Sequence, residues 1–146
     1  MPVLNREYEY LEHTADAKFR AYGTTIEKAF QNAAVAMFNA MIDTSTISDE
    51  VRERIELTSE DLDGLLVDWL SELLYLFEVE QVVFGQFKVD NITGHDDNYS
   101  LSAIACGEPL NLTRHKFDTE VKAVTYNELM VGENKEGWVV QVVVDT

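Results

Sequence analysis

An α+β two-layer sandwich, with a mostly antiparallel sheet carrying two amphipathic helices on one face, is the fold class that this sequence predicts. Three observations lead there. Two segments in the first half repeat their apolar residues at three- and four-residue steps, and the second half changes to a period near two. The regular strand-helix-strand alternation of a parallel sheet is missing.

The elements follow in order. EYEYLEHTADAKFRAYG holds two short strand-like pieces, Tyr8 to Leu11 and Lys18 to Tyr22, separated by the polar bend HTAD and closed by Gly23. From Thr25 the residues Ile26, Ala29, Phe30, Ala33, Ala34, Met37, Phe38 and Met41 form one helical stripe, with Thr24 or Thr25 as its cap and Glu27 in its first turn. VRERIELTS is a strand whose alternation Glu53 interrupts. A second stripe runs through Leu62, Leu65, Leu66, Trp69, Leu70, Leu73, Leu74 and Phe77, opened by Ser59 and acidic residues. Two strand pairs then follow. FGQFKVDNITG and NYSLSAIACG turn at GHDDN, and EVKAVTYNELMV and GWVVQVVVDT turn at GENKEG. The connection EPLNLTRHKFD is polar and irregular at its centre.

At 146 residues the chain makes one domain, spanning 1–146, able to bury roughly two-thirds of its unfolded surface. No apolar run approaches the roughly 20 residues that span a bilayer, and the N-terminal stretch lacks a basic segment followed by an apolar one, so a cytoplasmic protein is expected. A single cysteine, Cys106, makes neither an internal disulfide nor a multi-thiolate metal site. With 27 acidic and 11 basic residues the formal net charge is -16, which disfavours gripping nucleic acid over a broad surface. A metal ion or a basic protein is the better-matched partner, although acidic surfaces also serve solubility alone.

Among chemistry-bearing residues, no phosphate-binding glycine loop, nucleophile elbow, HExxH or calcium-loop motif occurs. His13, His95 and His115 are isolated and match no compact zinc motif, so surface or hydrogen-bonded histidines are expected. Asp16 lies in a bend where a carboxylate is both exposed and held, although the residues of HTAD also suit a turn that bonds its own backbone. Strict alternation places Glu120, Lys122, Val124 and Tyr126 on one side of a strand, making Lys122 a mid-strand lysine. Asp68 and Glu72 share a helical face off the leucine stripe, a solvated polar surface, and Trp69 and Trp138 are core residues. The closing VVVDT puts Asp145 one step beyond a valine run, either as a solubilising end or as part of an anion-rich site.

Taken together, HTADAKFRAYGTTIEKAFQNAAVAMFNAM, LLVDWLSELLYLF, GEPLNLTRHKFDTEVKAVTYNELMV and GWVVQVVVDT resemble the archease family from end to end. The resemblance implies an α+β fold and a non-catalytic protein cofactor of an RtcB-type RNA ligase, which joins RNA ends in tRNA splicing. It implies promotion of that ligase's guanylylation and turnover. It further implies Asp16 and Asp145 as ligands of a divalent metal, calcium before magnesium or manganese, with a main-chain oxygen from Thr146 and a functional lysine at Lys122. Lys18, two positions after Asp16, opposes a cation there. Two rivals remain: a metal-dependent phosphoester hydrolase using the same residues, and a general chaperone-like binding module. The metal site requires the front bend and the tail of the chain to meet.

Overall fold

The structure, a computed structural model, describes residues 7–12 and 16–146. Within them the order is β1 (Tyr8–Leu11), β2 (Ala17–Gly23), α1 (Ile26–Met41), β3 (Val51–Ser59), α2 (Leu62–Tyr75), β4 (Val82–His95), β5 (Asn98–Pro109), β6 (Ala123–Asn134) and β7 (Gly137–Asp145). The α+β class, the antiparallel pairing and both helices are as the sequence predicts. The strands, however, divide between two sheets, β1-β2-β7-β6 and β3-β5-β4.

The helices serve both sheets. α1 packs against β2 and β7 of the first and β4 of the second, and α2 against β6 of the first and β3 and β5 of the second. A helix that covers one sheet needs only a single apolar stripe. Here Ala29, Ala33, Ala34 and Ala36 are all fully buried, and their small side chains let backbone approach α1 on more than one side. Phe38 stacks near Phe84 and Phe87, with centroids at 5.8 and 5.4 Å, and the buried indole N–H of Trp69 donates to the Phe30 carbonyl at 2.9 Å. Trp138 is half-buried at the edge of this core.

Local chemistry sets the element ends. The Thr25 hydroxyl accepts from the Lys28 N–H at 3.2 Å, and the Asp61 carboxylate accepts from the Gly64 N–H at 2.6 Å, each satisfying a donor that the first helical turn leaves orphaned. α2 then widens into a π turn, Leu76–Glu80, stopped by Gln81 in the left-handed region at φ 56°. The hairpin β4–β5 turns at Asp96 and Asp97, both left-handed with φ 51° and 64°, the backbone demanded by a tight turn that matches strand twist.

Two features of the first sheet position the site. β7 is central, paired with β2 on one side and β6 on the other. Alternation turns Val140, Val142 and Val144 to the helices, and Gln141, Val143 and Asp145 to the opposite face, where Gln141 and Val143 are still buried and Asp145 is exposed. Between Thr125 and Met130 β6 bulges, with Glu128 left-handed at φ 53°. The bulge is tied down by Gln141, whose side-chain amide donates to the Glu128 carbonyl at 2.7 Å.

Candidate functional site

The ladder between β2 and β7 runs from Gly23 opposite Trp138 to Ala17 opposite Val144. Asp16 precedes Ala17 and Asp145 follows Val144, so these two residues, 129 apart in the chain by their numbers, each lie one step beyond the last pair of the β2–β7 ladder. Asp145 is exposed and Asp16 half-buried. On the other flank Ala123 opens β6 opposite Asp145, and the Lys122 N–H donates to the Asp145 carbonyl at 2.7 Å. The front bend, the start of β6 and the tail of the chain therefore meet at one end of the first sheet, with Thr146 beside them. Of the HTAD bend, His13, Thr14 and Ala15 lie outside the described residues.

Lys122 is not a mid-strand lysine. It lies just before β6, and strict alternation fails because Val121 is buried while Val124 also packs on the core. Two valines three positions apart both reach the interior, which leaves Lys122 and Ala123 exposed between them. Lys122 borders a depression of about 270 Å³ that it shares with Tyr75 and Glu78 at the end of α2. Lys18 is met by a counter-charge, its ammonium lying 2.9 Å from a Glu128 carboxylate oxygen on the bulge.

The chemistry of the donor set suits a hard cation. Two carboxylates at neighbouring ladder positions repel, and like charges directly opposite each other destabilise a sheet. A divalent ion turns that repulsion into attraction. Among the described residues no three of His, Cys, Asp and Glu are grouped as a protein-rich metal site requires. A pair of aspartates with a main-chain oxygen matches an ion that keeps several water ligands, as calcium and magnesium do, and does not match structural zinc.

Among the described residues, the histidines and the cysteine do not converge on a site. His95 is 87 % exposed, Cys106 is half-buried with its thiol pushed up by burial, and His13 is outside the described residues. Asp68 is exposed on α2 as expected, with Glu72 partly so.

His115 instead belongs to a buried polar cluster that sequence reasoning missed. Glu108, 1 % exposed at the end of β5, accepts at 2.9 Å from Nε2 of His115, itself 4 % exposed. The Asn111 N–H donates to His115 Nδ1 at 2.9 Å, so Nδ1 carries no proton and the neutral ring holds its hydrogen on Nε2, toward the carboxylate. The Arg114 guanidinium pairs with the other carboxylate oxygen. Burial works to raise the Glu108 pKa, but the His115 and Arg114 interactions outweigh it and hold the carboxyl below its ordinary range. No periodicity reports this cluster, since Glu108 ends a strand and His115 sits in a loop.

Comparison with known proteins agrees with this fold. The model of the Archease protein family (MTH1598/TM1083) matches residues 8–146. Protein archease of Methanosarcina mazei is 56% identical over 145 residues, covering 99% of both chains, and that of Pyrococcus furiosus is 41% identical, covering 96% of this chain and 99% of its own. The solution structure of Protein 1598 from Methanobacterium thermoautotrophicum superposes with a TM-score of 0.85 at 40% identity, covering 96% of this chain and 99% of that one. A crystal structure from Thermotoga maritima, described as an archease and possible chaperone, shares the fold with a TM-score of 0.53 at 19% identity. With a family match over nearly its whole length and relatives above half identity, this chain belongs to the archease family.

Proposed function

We propose that this chain is a non-catalytic cofactor that activates an RtcB-type RNA ligase in tRNA splicing and RNA repair, promoting its guanylylation and repeated turnover. The observation that carries the reading is the ladder end, where Asp16 and Asp145 fall at neighbouring positions and Lys122 is hydrogen-bonded to the Asp145 backbone. The side chains of Asp16 and Asp145, with a main-chain oxygen of Thr146, hold a divalent cation, calcium in the first instance and magnesium or manganese as alternatives. When bound, that cation supplies a hard positive centre suited to phosphate oxygens. So few protein ligands leave coordination positions open to a partner. Lys122 adds an exposed charge beside the same centre, and the net charge of -16 steers the molecule toward a basic ligase.

The test is loading of GMP onto the cognate ligase, with circular dichroism to verify folding. Native protein is expected to accelerate loading with no turnover of its own. Asp16→Ala and Asp145→Ala should fold and lose the acceleration, and Lys122→Ala should weaken it. A folded aspartate variant that accelerates normally removes that residue from the site. The description of the Thermotoga maritima relative as a possible chaperone supports a second reading, general binding of unfolded proteins. Under that reading the chain suppresses aggregation of unrelated proteins and leaves GMP loading unchanged.

A further inference from the structure

We propose that the turn Asn111 to His115 and the groove beside it form a preformed docking site for a partner segment that presents a bulky apolar side chain flanked by Lys or Arg. This deepens the reading of the chain as an acidic cofactor of a basic protein, and rests on it for the partner's charge.

Leu112 is 73 % exposed, at the tip of a turn that is far from loose. The Asn111 carbonyl accepts from the N–H groups of Arg114 at 3.0 Å and His115 at 2.7 Å, while the Asn111 side-chain oxygen accepts from Thr113 at 3.0 Å. The Asn111 N–H is taken by His115 Nδ1, and His115 is anchored to the buried Glu108 carboxylate. A turn built so firmly would be expected to fold its leucine inward if burial were its purpose. Instead it holds an apolar side chain in water, which costs free energy in the isolated molecule and is recovered when a partner covers it.

The neighbouring groove gives that partner somewhere to go. It holds about 340 Å³ and is lined by Met41, Phe77, Phe117 and Val121, with Leu112 at its lip. Asp118 and Glu120 also line it, and no lysine or arginine does. On the other side of the turn Leu112 borders a second hollow, of about 600 Å³, with Glu50, Glu108 and Arg114; the Arg114 charge is already engaged by Glu108. Asp118 and Glu120 on one side of the apolar lip and the exposed Glu50 on the other are the acids a partner can meet, since Glu108 is buried and paired, so an apolar anchor with cationic neighbours is the complementary chemistry. Val121, one residue before Lys122, is among the groove's lining residues. Because the turn is already ordered, docking loses little conformational entropy.

The probe is an amidated hexapeptide, KRLFRK, titrated into the labelled full chain and followed by methyl and amide chemical shifts, with EDLFDE as its charge-reversed control. Saturable shifts at Met41, Leu110, Leu112 and Val121 are expected with the basic peptide, with affinity about tenfold weaker or worse for the acidic one. Leu112→Ser, at an exposed position that leaves folding intact, should weaken binding about tenfold, a loss typical of an interface anchor. His115→Ala should weaken it as well, by loosening the turn with Leu112 still present. Equal shifts with both peptides, shifts centred elsewhere, or unchanged affinity in Leu112→Ser would overturn the docking site. Ligase loading measured on the same variants separates the two readings. Normal loading by Leu112→Ser with unaltered peptide binding sinks this site alone, whereas absence of loading by the native chain sinks the ligase reading and leaves the peptide titration to decide the site.

Discussion

Replacing Glu108 is the sharpest test of how the connection between the sheets is held. The carboxylate is 1 % exposed, takes the Nε2–H of a histidine 4 % exposed, and faces the Arg114 guanidinium. Glu108→Ala strands that N–H away from water, a loss of about 1–3 kcal/mol, and deprives Arg114 of its counter-charge. Arg114 is half-exposed and its charge returns to water, so the stranded N–H dominates and about 1–3 kcal/mol is the expected total. Glu108→Gln keeps an oxygen for His115 but presents an amide to Arg114, so about 1–2 kcal/mol is expected, the scale of one charge-assisted hydrogen bond. The pH dependence follows from the lowered folded pKa. Such a group contributes stability that is fully present above its ordinary value of 4.5 and is lost as pH falls through the depressed value. The gap between native protein and Glu108→Gln should therefore be constant near neutrality and narrow below pH 4.5. Urea unfolding followed by tryptophan fluorescence reads it, because Trp69 is fully buried. A cost below about 1 kcal/mol for Glu108→Ala would refute the account, since that is the range of ordinary surface substitutions. So would a gap that persists unchanged into strong acid.

Three further outcomes concern the scaffold. Asp97→Gly relieves a left-handed aspartate at φ 64°, and thermal unfolding should show a gain of about 1 kcal/mol; a loss would mean that the aspartate side chain stabilises the hairpin. Gly107→Ala puts a Cβ into the Val83 carbonyl across the β4–β5 ladder, backbone that cannot swing aside, so a loss of at least about 2 kcal/mol in urea is expected, and a neutral result would mean the two strands separate freely. Thr25→Ala removes the α1 cap and should lower stability by about 1 kcal/mol, seen as an earlier urea midpoint with unchanged slope.

What the sequence made legible follows from which forces are local. Helical periods and caps are decided within a few residues, and both helices begin within a residue or two of where Thr25 and the acidic run before Leu62 place them. Both hairpins are legible for the same reason, since each strand pairs with its chain neighbour through a short turn. The division into two sheets is not, because alternation says which side of a strand faces inward and nothing about which strand lies beside it. The meeting of Asp16 with Asp145 depends on β2 pairing with β7, a contact between the two ends of the described chain. Only the family resemblance anticipated it. The π turn after Tyr75 was hidden because Leu76 and Phe77 continue the apolar stripe without a break. Glu108 was passed over because an acid in a polar segment is ordinarily exposed, and what buries this one is the return of the chain seven residues later with His115.

The distribution of charge bears on why Lys122 matters. With 27 acidic and 11 basic residues there is no basic partner for each acid, and several basic residues are already engaged: Lys18 with Glu128, Arg52 with Asp49, Arg54 with Glu56 and Arg114 with Glu108. Lys122 forms no such ion pair among the described residues, although Glu78 borders the same depression. Arg20, Lys28, Lys116 and Lys135 form no ion pair among the described residues either, so what sets Lys122 apart is its place beside the Asp145 backbone. The Lys122 N–H is committed to the Asp145 carbonyl at 2.7 Å, which fixes where the chain carries that charge, and the side chain is exposed.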